Sequence, residues 1–143
     1  MPNSRVFDHR FNGRFKIEIE GVTQGSFAAC DGLQACIDIV DYADGNNPTA
    51  RKRPGRTRFA NIVLRRGVAH GSELWDWFKV AMDGQVQRKA GSVIVCDDAM
   101  QEVYRYNFFE GWPCRWKSLE LDAESPRTLV EEIEIAVERI ERG

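Results

Sequence analysis

The side chains that could do chemistry in this sequence are few and scattered. His9 and His70 could act as general bases or metal ligands, and Cys30, Cys36, Cys96 and Cys114 as thiolate ligands or nucleophiles. Asp97-Asp98 could form a paired carboxylate. None of them has the spacing such roles need. Structural zinc sites draw on close pairs such as Cys-x-x-Cys, and no such pair occurs. Each cysteine stands alone in a strand-like stretch, so the four read as reduced, mostly buried thiols of a cytosolic protein rather than a disulfide framework. His9 lies in the N-terminal stretch and His70 just before a helix. Adjacent aspartates in a turn are ordinarily a solvated loop. Glu131, Glu132 and Glu134 read as one polar strand face. The sequence holds no phosphate-binding loop, no Gly-x-Gly-x-x-Gly, no His-Glu-x-x-His and no Gly-x-Ser-x-Gly. The expectation is a protein without enzymatic activity, metal or cofactor.

What remains is charge. Residues 45–68 carry a long basic segment with no acid between Gly45 and Ala69. Asn46, Asn47, Pro48, Pro54 and Gly55 are turn formers, and Arg51, Lys52, Arg53, Arg56 and Arg58 repel one another, so this half reads as a loop. Residues 59–64 are apolar and β-branched and read as a strand, ended by Arg65-Arg66-Gly67. Long loops inside compact domains are mostly functional or disordered. Two uses compete: a nucleic-acid contact, or an arm that reaches another subunit. The net charge of −2 argues against a dedicated nucleic-acid binder. So does the lack of aromatics interleaved with the basic residues, because Phe59, the nearest, starts a core strand in this reading. The basic middle and the acidic C-terminal third are complementary, which suits self-association.

The elements that would position this segment are mainly strands. Phe15, Ile17 and Ile19 alternate with Lys16, Glu18 and Glu20, a half-buried strand. A turn at residues 23–25 leads to a strand at 26–30, and Asp31-Gly32 is a turn signal. Cys36, Ile37, Ile39 and Val40 make a third strand. Residues 72–82 read as a helix, with Ser72 as N-cap, Glu73 and Asp76 in the first turn, and Gly84 ending it. Leu74, Trp75, Phe78 and Met82 share its apolar face, with Trp77 and Ala81 beside them. Strands follow at 92–96 and 103–112, where Pro113 is a breaker, then at 114–121, with a loop at 122–126. The tail at 128–142 fits both periodicities, and its β-branched residues favour strand. The fold class is therefore mainly β (α+β): an antiparallel barrel or sandwich of about seven or eight strands, with one flanking helix and a long basic arm. One domain spans residues 1–143, with 45–57 as an extended inter-subunit loop. No apolar run suits a signal peptide or a membrane span, so no membrane contact is expected.

In order along the chain, these pieces resemble the tail-tube (inner-tube) proteins of contractile phage tails and phage-tail-like contractile injection systems. The matching stretches are His9-Arg10-Phe11-Asn12-Gly13-Arg14-Phe15 and the strand after it, and the loop Gly45-Asn46-Asn47-Pro48 through Arg51-Lys52-Arg53-Pro54-Gly55-Arg56. They continue with Ile62-Val63-Leu64-Arg65-Arg66-Gly67-Val68 followed by Leu74, Trp77 and Phe78, the aromatic stretch ending Gly111-Trp112-Pro113, and Leu119-Glu120-Leu121-Asp122-Ala123 with the alternating segment at 130–137. The resemblance covers nearly the whole chain. It implies a structural subunit whose copies form a hexameric ring, with rings stacking into a hollow conduit for DNA or protein cargo. It further implies sheath, baseplate or hub and tube-terminating proteins as partners, assembly in the bacterial cytoplasm, and residence in a phage tail or an injection particle. A tube initiator, a baseplate adaptor or a type VI secretion ring protein is the alternative within that class. On this reading Asn46, Asn47, Arg51, Lys52, Arg53, Pro54 and Arg56 make the inter-ring contact. Glu18, Glu20, Glu132 and Glu134 are the candidate acidic partners or line the lumen.

Overall fold

The computed structural model describes residues 14–43, 45–46, 48–118 and 128–143. The expectations on His9, on Asn47 and on residues 119–126 fall outside them. Nine strands and one helix are described: β1 (Phe15–Ile19), β2 (Val22–Asp31), β3 (Ala35–Tyr42), β4 (Arg51–Phe59), β5 (Ile62–Ala69), α1 (Glu73–Met82), β6 (Lys89–Cys96), β7 (Glu102–Ser118), β8 (Thr128–Ala136) and β9 (Arg139–Arg142).

Six of these close on themselves. The order β6-β1-β2-β5-β8-β7 is completed by a β6–β7 pairing, and every ladder is antiparallel. β9 pairs with β7 in the register that β8 holds, after a break at Val137 and Glu138, so the two form one interrupted strand. Closure removes the open edges that a flat sheet would expose. The interior is filled from alternate positions: Ile17 and Ile19 of β1, Phe27 of β2, Ile62 and Leu64 of β5, Val93 of β6, Phe108 of β7, and Ile133 and Ile135 of β8. The mainly β, one-helix architecture is the one that the periodicities predict.

Several local expectations were displaced by pairing that sequence periodicity does not contain. The first turn is not at residues 23–25. Glu20 and Gly21 both take positive φ, 56° and 83°, and make the two-residue hairpin, while residues 23–25 already belong to β2. β5 does not stop at Arg65 but runs on to Ala69, because Gly67 lies under the Phe27 ring, where a Cβ would overlap it. Glycine there serves close packing rather than termination. Pro113 does not break its strand. It is fully buried in a 17-residue β7, and the ladder with β8 shifts between Pro113 and Arg115, so its missing N–H falls at an irregularity.

The helix forms where its apolar spacing and first-turn acids place it, and Gly84 follows its end at φ +87°. Its buried face is different from the expected one: Leu74 and Trp77 enter the core, while Trp75 and Met82 stay substantially exposed. The Trp77 indole N–H donates to the Gln87 carbonyl at 2.7 Å, which anchors it. Trp75 and Phe78 pack on Trp116 of β7, with ring centroids 5.2 and 6.2 Å away. Ser72 stands at the N-cap, but its hydroxyl bonds the Asp76 carboxylate at 3.2 Å and no backbone N–H.

Candidate assembly interface

The basic segment is not a loop. Residues 51–59 form β4, paired with β3 from Ala35↔Phe59 to Tyr42↔Arg51 as a separate two-stranded sheet. The pairing partner lies upstream, which is why the turn formers and repelling charges of 46–56 gave no hint of a strand. Pro54 is tolerated because β4 has a neighbour on one side and the ladder shifts between Ile37 and Ile39, opposite the proline. Phe59 therefore ends a strand of the hairpin instead of starting a core strand. Asn46 sits in the turn and is exposed.

The hairpin leaves most of its surface bare. All of β4 from Arg51 to Arg58 is exposed. On β3, Ile37 and Ile39 are 56% and 65% exposed, and Val40 and Tyr42 more than a third. The sequence places Cys36, Ile37, Ile39 and Val40 in a strand; Asp38 and Asp41 beside them are the signal that this strand faces no core. An isolated two-stranded hairpin is marginal in water, and contiguous exposed apolar side chains mark an interaction surface.

With no acid inside the segment itself, two of its cations find partners elsewhere in the subunit. Arg58 donates to Asp38 of β3 at 2.9 Å, and Arg65 to Glu132 of β8 at 3.2 Å. Arg53 lies over the Tyr42 ring at 5.3 Å. Among the described residues, Arg51, Lys52 and Arg56 make no ion pair.

The four candidate acids separate in the same way. Glu18 accepts from Arg105 at 3.0 Å. Glu132 holds Arg65 and lies 3.8 Å from Arg115. Glu134 accepts from the Asn61 amide at 2.8 Å and lies 3.8 Å from Arg115. All three are engaged within the subunit. Glu20, exposed in the β1–β2 turn, has no ion pair among the described residues.

Among the described residues, the groups with chemical potential do not converge. Asp97 accepts the Ala99 and Gln101 N–H groups at 2.9 Å each and so builds its turn, while Asp98 pairs with Arg14. His70 is exposed ahead of the helix. Among the described residues no group of three His, Cys, Asp or Glu side chains could hold a metal ion. All four cysteines are free, but mostly buried was too broad: Cys96 is buried and Cys30 partly so, whereas Cys36 on the hairpin and Cys114 on β7 are exposed. Burial, with Asp31 adding to it, pushes the Cys30 thiol up to about 12.

The barrel and its hairpin have known counterparts. A chain of the sheath–tube complex of an extracellular contractile injection system (PVC), in its extended state, is 26% identical; the match covers 100% of this chain and 99% of that one, with a TM-score of 0.70. A chain of the sheath/tube terminator of the same kind of system is 30% identical over 91% of this chain and 93% of that one, TM-score 0.69. A chain of the anti-feeding prophage tube-terminating cap, at 22% identity over 92% and 88% and a TM-score of 0.69, shares the fold. No curated protein sequence matches the chain. The T4-like virus tail tube protein gp19 family matches residues 12–141, nearly the full length, and the chain belongs to that family.

Proposed function

We propose that this protein is the repeating structural subunit of the hollow inner tube of a contractile tail or injection particle. Copies close into a hexameric ring, and rings stack head to tail with the β3–β4 hairpin as the arm between them. Its role is mechanical rather than catalytic. One observation carries this reading: a self-sufficient closed barrel bears a hairpin whose apolar and basic surface is unsatisfied within the subunit. A heterologous contact of that kind closes into rings or grows into filaments. Arg51, Lys52, Arg53, Pro54 and Arg56 of β4, with Asn46 in the turn and the adjoining Asn47 of the sequence, are the arm's contact residues. The sheath and the tube-terminating proteins are its partners in the particle, and DNA or an effector protein is the cargo.

Purified protein at high concentration should give rings and short tubes in negative stain. A persistent monomer across conditions would contradict the proposal. Replacing Arg51, Lys52, Arg53 and Arg56 by Ala should leave rings but reduce stacking. A second reading, a terminating or adaptor subunit, is favoured by the likeness to the terminator chain. It predicts rings that cap tubes without extending them.

A further inference from the structure

The two ends of the barrel are chemically different. β2 and β5 run antiparallel, so Asp31 and Val63 mark one end and Gly25 and Ala69 the other. The hairpin leaves the barrel beyond Asp31 and returns before Ile62. The opposite end, roughly 30 Å away along the ten residues of β2, carries the β1–β2 turn, the start of α1 and the start of β6. A cavity of about 180 Å³ opens there, lined by Glu20, Val22, Gln24, Glu73, Trp77 and Lys89 among others. That is far above the ~10–15 Å³ that one water needs.

Its chemistry is selective. Gln24 is 92% buried, being 8% exposed, and its side-chain oxygen Oε1 has no hydrogen-bond partner. An unpaired buried acceptor is destabilising, so a donor is wanted at this position. Glu20 and Glu73 outnumber Lys89, and among the described residues neither carboxylate has an ion pair. Val22 and Trp77 supply apolar wall against which a long aliphatic stem can lie. Glu73, in the first turn, also offsets the positive end of the helix, so that end does not repel a cation. An apolar wall with an acceptor and two carboxylates at its head fits an arginine or lysine side chain.

We infer that this cavity is the socket for the arm: one of Arg51, Lys52 or Arg56 of a second copy enters it, its aliphatic stem on Val22 and Trp77 and its charged head donating to Gln24 Oε1 between Glu20 and Glu73. This rests on the arm reading above and adds the receiving residues to it. Arm and socket stand at opposite ends of the same barrel, so copies joined this way repeat by translation along one axis. The contact gives one unpaired cation of the arm its acceptors, and gives Gln24 Oε1 of the next copy the donor it lacks.

Four full-length variants test it, read by the critical concentration for tube growth, ring counts in negative stain and thermal melting. Glu20→Lys with Glu73→Lys should leave rings and raise the critical concentration about tenfold or more, as like charges meet. Arg51→Glu with Lys52→Glu and Arg56→Glu should do the same. Combining both sets should restore tubes. Gln24→Leu is the second line: it removes the unpaired acceptor, so melting should not fall, yet stacking should weaken roughly tenfold through the lost charge-assisted bond. If the socket variants stack like the wild type, or the combined variant fails to recover, the socket is wrong while the arm stands. If reversing the arm alone leaves tubes unchanged, the arm reading fails and the socket with it.

Discussion

Phe27, Phe108, Ile133 and Ile135 in the barrel have no exposed surface, while Ile37 and Ile39 in the β3–β4 hairpin expose more than half of theirs. The charges divide along the same line. The barrel pairs Glu18 with Arg105 and Glu132 with Arg65, whereas the hairpin leaves Arg51, Lys52 and Arg56 without ion pairs among the described residues. These barrel groups are satisfied within the subunit, and these hairpin groups are held open. A two-stranded ribbon with apolar and cationic surface on display has no reason to persist in an isolated subunit. It makes sense as half of a contact whose other half is on another copy.

That contrast can be broken most forcefully in the core. Phe108→Ala should lower the unfolding free energy by about 3–5 kcal/mol in chemical denaturation, because it opens a cavity in a closed barrel. Ile39→Ala on the hairpin should cost the unassembled subunit less than about 0.5 kcal/mol. Equal losses would mean that the hairpin is part of the barrel's own core. Gly67→Ala should cost about 1–3 kcal/mol, since its methyl group would displace the Phe27 ring; a neutral result would show that the barrel is loosely packed at its centre.

The mildest probe changes no residue. Iodoacetamide should modify exposed Cys36 readily in free subunits and slowly in tubes, while Cys30, with its pKa near 12, forms little thiolate below that pH and resists throughout. Cys36 that reacts equally in both states would place the hairpin outside any interface.

Much of the barrel was legible in the sequence, because a half-buried strand writes its pairing face into every second residue. Phe15, Ile17 and Ile19 did so, as did Ile133 and Ile135. The helix was legible from Ser72, its first-turn acids and Gly84. What was not legible depends on residues distant in the chain. Gly67 looks like a terminator until Phe27 is seen above it. Pro113 looks like a breaker until the shift in its ladder is known. β4 looks like a loop because its one partner among the described residues is β3, and no apolar face records that pairing. The arm was found through its charge alone; the strand at Cys36 to Val40 was read, but not that it pairs with the basic segment and stays exposed. Gln24 carries no sequence signal, since only the finished end of the barrel reveals an acceptor without a donor.

The most direct measurement is a cryo-microscopy map of the assembled tube at side-chain resolution. The account predicts the β3–β4 hairpin of each subunit lying against a copy in the adjoining ring, with Ile37 and Ile39 covered and Arg51, Lys52 and Arg56 facing acidic groups of that copy. A map in which the hairpin folds back on its own barrel, or stands in solvent touching no other copy, would contradict it.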